Sequence, residues 1–376
     1  MKKYRRKIYY ILLIISAIIL GAGIGLWRVY FGGFHVSLQQ TQKIMEEDNS
    51  FQYYYRLLDD NEKECYQKIF YVLSHFEDNV RLNSSDINSV QSIFESVIYD
   101  HPELYYVNYQ FQYRIQGNTM VFMPIYDYDK EQVDSYNQRI EEKTKDILIK
   151  AKEQEEPVMR AKVIYDYIIE TVNYHQNEND QNILSAFLEG TSVCAGYAKA
   201  YQYLLSKADI DAVYMVGKAK ETVSQTAQGQ GHAWIMLHIH DDYYYSDPTW
   251  GDNEQESMKH TCYGYFMMSE KEMLACYKPE VKYEKTKDVG NIFFQQRGCY
   301  MSNYDEDILS HAIVNGLENK TRIAEVKCAN DEVYQKLKKN IQSSYLGYRL
   351  LKENECWSNR CIYSYNDELK LVELYY

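Results

Sequence analysis

The chain of 376 residues carries 41 Lys and Arg against 54 Asp and Glu, a formal net charge of −13. That balance excludes the basic stripe a nucleic-acid partner needs, so no nucleic-acid partner is expected. A hydrophobic content of 45% with 25% charged residues excludes a largely disordered chain, and the length leaves room for an anchor and two or three packed modules.

At the N-terminus, Lys2, Lys3, Arg5, Arg6 and Lys7 precede IYYILLIISAIILGAGIGLW (8–27), a run without a charge. At about 1.5 Å rise per residue such a run reaches roughly 30 Å, the depth of a bilayer core. The cations before it, with Arg28 alone close behind, place the N-terminus in the cytoplasm and the body outside. A cleaved signal peptide is the rival, but its apolar region is normally shorter, and bulky Trp27 spoils the small-x-small cleavage pattern. Residues 1–28 therefore read as a cytoplasmic basic tip and single-pass transmembrane anchor, and 29–50 as a polar stalk.

Residues 51–156 read as a helical and β-hairpin module. EKECYQKIFYVLSHF (62–76) sets Cys65, Ile69, Val72, Leu73 and Phe76 at helical spacing, and a second helix starts at Ser84-Ser85-Asp86 and ends at His101-Pro102. LYYVNYQFQYRI (104–115) and TMVFMPIY (119–126) flank Gln116-Gly117-Asn118 as a hairpin. Polar helices follow over 130–152. Pro157 opens another, through Val172, with Val158, Ala161, Ile164, Tyr165, Ile168 and Ile169 inward. Residues 157–270 alternate helix and strand, and 271–376 form a mixed C-terminal appendage. That appendage carries helices near 305–317 and 330–340 and strands near 292–296 and 361–375. The fold class is α+β.

Chemistry concentrates in 191–252. In TSVCAGYAKAYQYLLSKADI (191–210), Thr191 or Ser192 is the candidate N-cap, and Ala195, Ala198, Tyr201, Leu204 and Leu205 recur at helical spacing. Cys194 then lies in the first helical turn, where unpaired N–H groups and the positive dipole end favour a thiolate and can hold an oxyanion. Small Ala195 and Gly196 permit close approach of another backbone. A cysteine filling a core gap is the competing reading. AVYMVGK (212–218) is a strand. In GHAWIMLHIHDDYYYSDPTWGD (231–252), alternation puts His232, Trp234, Met236, His238 and His240 on one face. A turn centred on His240-Asp241 sets Asp247 opposite Trp234, diagonal to His232 and within roughly 7–8 Å. There it can fix the imidazole's tautomer and orientation. A turn one residue later would part them.

His232 and His238 sit roughly 20 Å apart along a strand, too far to share a metal, so no metal or cofactor is expected. His238 and His240 read as solvated, Trp234 and Trp250 as walls of the site, and Cys262 and Cys276 as structural. Eight cysteines with no CxxC pair disfavour a zinc ribbon. Cys356 and Cys361 are placed to bridge a short turn, with Cys299 or Cys328 as other candidates. The 40 tyrosines suit half-buried strands and clefts, although coding bias is the favoured account of their number.

Together SVCAGYAKAYQYLL, GHAWIML and YYYSDPTW resemble the transglutaminase-like family, whose core shares a papain-like arrangement of helix-borne cysteine against a histidine-bearing sheet. The resemblance covers roughly 160–255. It implies Cys194 as nucleophile, His232 as general base and acid, and Asp247 as the orienting acid. It further implies a thioester acyltransferase or amidohydrolase acting on protein or cell-wall peptide amides outside the membrane. The second oxyanion donor is open, with Asn182 or Gln181 as candidates. A cell-surface binding or scaffold module that keeps the fold without turnover is the reading from a different class.

Overall fold

The computed structural model describes residues 36–48, 50–220, 231–252, 260–287, 290–356, 358 and 360–376. The expected anchor at 8–27 lies outside the described residues, among which no helix is long and apolar enough to cross a membrane. The chain divides into two compact units, Met1–Asn137 and Gln138–Tyr376.

In the first unit, α1 (Leu38–Glu47) occupies part of the segment expected to be a polar stalk. Ser37 and Gln40 close a capping box at its start, the local signal that turns this polar stretch into a helix. Next come α2 (Tyr53–Leu57), α3 (Asp60–His75), β1 (Val80–Leu82), α4 (Ile87–Asp100), β2 (Val107–Gln116) and β3 (Thr119–Tyr126). Asp59 and Asp86 cap α3 and α4 through their side chains, so the two expected amphipathic helices form and pack on each other. The hairpin turns at Gly117-Asn118, with Gln116 paired to Thr119 and Gly117 at φ +61°. The boundary between the units falls inside α5 (Lys130–Lys152).

The second unit begins its core with α6 (Pro157–Thr171), Pro157 standing at the first helical position where its missing N–H costs nothing. Then follow β4 (Asn173–Tyr174), a π-helical turn (Ser185–Glu189), β5 (Thr191–Ser192), α7 (Cys194–Lys207), β6 (Asp211–Ala219), β7 (Gly231–Ile239), β8 (Asp242–Ser246) and the short α8 (Pro248–Gly251). Past them lie α9 (Glu270–Cys276) and β9 (Tyr277–Pro279). An antiparallel sheet of order β8-β7-β6-β9 carries α7 across β6 and β7, and α6 packs on α7.

The appendage contributes α10 (Ile292–Gln296), β10 (Tyr300–Met301), α11 (Glu306–Glu318), β11 (Ile323–Cys328), α12 (Asp331–Ser344), α13 (Leu346–Glu353), β12 (Ile362–Asn366) and β13 (Leu371–Tyr375). Its sheet runs β10-β11-β13-β12. Residues 292–296 are a helix where a strand was expected. The aromatic pair Phe293-Phe294 suggests a strand, but the Asn291 side chain accepts from Phe294 N–H and starts a helical turn instead. All eight cysteines are free, including Cys356 and Cys361; the Cys361 thiol donates to the Tyr363 hydroxyl at 3.3 Å.

Tyrosine serves as a core residue. Tyr66, Tyr165, Tyr197, Tyr201, Tyr245, Tyr277 and Tyr334 are fully buried. Their hydroxyls find internal acceptors, as when Tyr197 donates to Val172 O at 2.7 Å, so the polar tip does not oppose burial.

The α7 helix is seated by Gly196. A Cβ there would lie 1.9 Å from Ser192 Oγ and within 3.0 Å of the Asn182 and Asp180 carbonyls. The close approach anticipated at Gly196 is thus filled by the chain's own 180–182 loop. Gly196→Ala, normally favourable inside a helix, should here destabilise the fold by about 1–3 kcal/mol. A lowered midpoint in urea unfolding checks this.

Candidate active site

Cys194 is the first residue of α7. Neither Thr191 nor Ser192 caps that helix. The cap position is Val193, which has no side-chain hydrogen bond to offer. Thr191 and Ser192 instead form β5, parallel to β4, and Ser192 Oγ donates to Asp180 O at 2.9 Å. The start of α7 therefore carries no side-chain oxygen competing for its first-turn N–H groups. Cys194 is partly exposed, whereas Cys65, Cys262, Cys276, Cys299, Cys328 and Cys356 are buried.

His232 is the second residue of β7, paired with Gly217 of β6. β7 turns into β8 through His240 and Asp241, both at positive φ, and Ile239 pairs with Asp242. This is the register centred on His240-Asp241. It pairs Ile235 with Ser246, so Asp247 emerges one step further, beside the His232 end of β7. His232 Nε2 and Asp247 Oδ2 stand 2.7 Å apart, and Cys194 lies near enough to the same imidazole to help raise its pKa. With Nε2 engaged by Asp247, Nδ1 is the ring nitrogen that remains available. The structure thus brings all three expected residues together.

Asp247 is fully buried and richly served. Its Oδ1 accepts from the N–H groups of Thr249 at 2.9 Å and Trp250 at 3.3 Å, so the same carboxylate caps α8. Its Oδ2 accepts from the Tyr277 hydroxyl at 2.6 Å. The Tyr165 hydroxyl lies between the Asp247 and Cys262 carbonyl oxygens, at 3.2 and 3.3 Å, tying α6 to the base of the site. Burial alone would lower the His232 pKa, but the Asp247 charge and hydrogen bond, with Cys194 beside it, raise it to about 10. One further contact is in tension with this arrangement. Trp250 Nε1 lies 2.7 Å from the same Nε2. An Nε2 that donates to Asp247 has no lone pair for the indole N–H, so the nitrogen serves one partner at a time. The raised imidazolium favours Asp247.

The other expected residues divide. Trp234 is fully buried and stacks on Tyr277 with centroids 4.7 Å apart, so it is a wall; Trp250 meets His232 edge-on as well as through its N–H. His238 lies 3.3 Å from Asp211, and His240 is exposed, 3.3 Å from Glu156. Of the two candidates for the second oxyanion donor, Gln181 donates its amide to Asp180 Oδ1, whereas Asn182 accepts from Leu184 N–H through Oδ1, a bond that does not use its amide N–H groups. Burial raises the thiols of Cys262, well above its usual range, and of Cys276, to about 12. One contributor to the site and one buried cation escaped the sequence reading. Tyr277 comes from β9, outside any recognisable stretch. Lys199, on the buried side of α7, is pushed down to about 7 by burial and donates to Gln181 O at 3.3 Å. Its place on a helix face otherwise rich in Ala and Tyr was the available signal.

Residues 144–248 match the model of the transglutaminase-like superfamily core. The chain carries a transglutaminase-like domain. Among solved structures, it is similar to one described as a TGase, at 12% identity and a TM-score of 0.28, covering 49% of this chain and 53% of that one. It is also similar to the periplasmic domain of TgpA from Pseudomonas aeruginosa, at 15% identity and a TM-score of 0.24, covering 35% of this chain and 55% of that one. The chain therefore spans about half the length of these structures. No curated protein sequence matches it.

The raised imidazole makes stability pH-dependent within this transglutaminase-like domain. A group whose pKa is higher when folded contributes fully below its unfolded value of 6.5, and the contribution drains away as pH climbs through about 10. Asp247→Asn keeps the helix cap and removes the charge, so the His232 titration should fall to 6.5 or lower. NMR titration of the imidazole checks the value, and the alkaline decline in unfolding midpoint between those limits should flatten.

Proposed function

We propose that the chain is a membrane-anchored thiol enzyme that forms a thioester from peptide amides outside the membrane. Cys194 is the nucleophile, His232 the base and then the acid, and Asp247 the orienting carboxylate. The observation that carries the reading is the continuous line from a partly exposed thiol at a helix start, through one imidazole, to a buried carboxylate 2.7 Å away.

His232 Nδ1 takes the thiol proton, and the sulfur attacks the amide carbonyl. The carbonyl oxygen gains the negative charge, and the N–H groups at the start of α7 are the donors in place to hold it. Collapse breaks the C–N bond, and His232 returns its proton to the leaving amine. The resulting thioester then yields to an amine, giving transamidation, or to water, giving hydrolysis. Throughout, Asp247 keeps Nε2–H occupied, so Nδ1 alone exchanges the proton. The substrate class is protein or cell-wall peptide amides, and no metal enters the scheme.

Thiol reactivity tests the reading directly. At neutral pH, Cys194 should alkylate with iodoacetamide roughly tenfold or more faster than the other cysteines. His232→Ala should abolish that advantage, and Cys194→Ala should abolish thioester-dependent turnover of a glutamine-containing peptide. Equal, slow alkylation at every thiol would leave the scaffold reading in its place. The anchor is tested separately. The full chain should stay with the membrane fraction after an alkaline wash, and protease added outside intact cells should remove residues beyond 28.

A further inference from the structure

We infer that Tyr277 is a positioning residue of this site, its ring fixing the plane of His232 and its hydroxyl tempering the hold of Asp247 on the Nε2 proton. The inference rests on the catalytic reading of Cys194 and His232 given above.

Three aromatic planes lie nearly parallel. The Tyr277 ring stacks on His232 at 5.4 Å with 12° between planes, and on Trp234 at 4.7 Å with 18°. His232 and Trp234 share one face of β7, while Tyr277 enters from β9 across β6, where it pairs with Ala219. Gly217 of β6 lies between β7 and β9, paired with His232 on one side and Pro279 on the other. A Cβ at Gly217 would come within 2.8 Å of the Trp234 ring and 2.3 Å of Lys278 O, so the missing side chain lets the layer close. β9 is therefore docked where its first residue can reach both members of the His232–Asp247 pair.

That reach matters because Nε2 is contested. Asp247 Oδ2 and Trp250 Nε1 both lie 2.7 Å from it, and a change in the imidazole's orientation shifts the balance between the two. A stacked neighbour opposes that change. The hydroxyl has a distinct effect. It donates to Oδ2, the oxygen that also receives His232, and so draws off part of the charge that would otherwise concentrate on the Nε2 proton. The phenol remains a donor throughout the working range, since burial and Asp247 push its pKa well above the usual value. Among the described residues, Tyr165, Tyr174, Tyr265 and Cys276 also feel the Asp247 charge, all with raised pKa values and so uncharged near neutrality. Cys194 is the other ionisable partner of His232.

The experiment compares Tyr277→Phe, Tyr277→Leu and His232→Ala with the parent chain. It reads the pH dependence of iodoacetamide alkylation at Cys194 and of peptide turnover. Tyr277→Phe keeps the stack and removes the donor. Its alkaline limb should move up by roughly half to one pH unit, and kcat should fall about tenfold at unchanged KM, because His232 returns its proton less readily. Tyr277→Leu should lose the stack too and slow Cys194 alkylation as well. A Tyr277→Phe profile that superimposes on the parent, or shifts down, overturns the inference and makes Tyr277 a space-filling residue. Failure of the parent reading has a different signature: His232→Ala would then leave Cys194 alkylation unchanged.

Discussion

The site depends on the register of one hairpin. Two residues at positive φ, His240 and Asp241, join β7 to β8, and this turn decides which face of β8 each later side chain occupies. Because side chains alternate along a strand, a slip of one residue would send Asp247 to the opposite face and strip His232 of its charged partner. Positive φ is uncommon outside glycine, and neither position is glycine here. The turn is held by what lies beyond it: Lys287 N–H donates to Asp242 Oδ1 at 2.7 Å, and Ser246 and Tyr245 continue into a tightly paired strand. Local backbone geometry thus sets the electrostatics at a point several residues away.

The second constraint is the meeting of three elements at the start of α7. The 180–182 loop, β5 and the helix itself converge around Gly196, and their hydrogen bonds run through Ser185, Ser192 and the Asp180 carbonyl. These polar groups bond to one another, leaving the end of the helix to the thiol. A good cap at position 193 would stabilise α7 but also occupy the donors that an oxyanion requires. Val193 gives up that stabilisation. The arrangement is a local departure from the best helix chemistry, placed where a departure serves the proposed reaction.

Much of this was legible from residues alone. The periodicity of 157–172 and 194–207, the strand alternation of 231–239, and the return of the chain through YYYSD gave the central elements and the His232–Asp247 pairing, while the place of Cys194 beside them came from the resemblance to the transglutaminase-like family. What escaped has identifiable causes. Ser192 looked like a helix cap because serine usually is one, but it pairs in a two-residue strand instead. Phe293-Phe294 looked like a strand because aromatics favour strands, and the asparagine before them overrode that preference. Tyr277 was invisible because its partners lie 30 and 45 positions earlier in the chain, and nothing in the residues around it marks the pairing of β9 with β6.

The carboxylate of Asp247 also begins the helical turn that follows it, and this double use has a consequence for how the site can vary. One oxygen holds the backbone of Thr249 and Trp250 while the other faces the imidazole. Removing both oxygens therefore frees the ring and the segment that carries Trp250, the rival for the same nitrogen, at once. Only a side chain that keeps an acceptor for the turn, as asparagine does, can weaken the hold on the ring alone. Finer adjustment has to come from side chains that touch the pair from outside, on strands with no part in the turn.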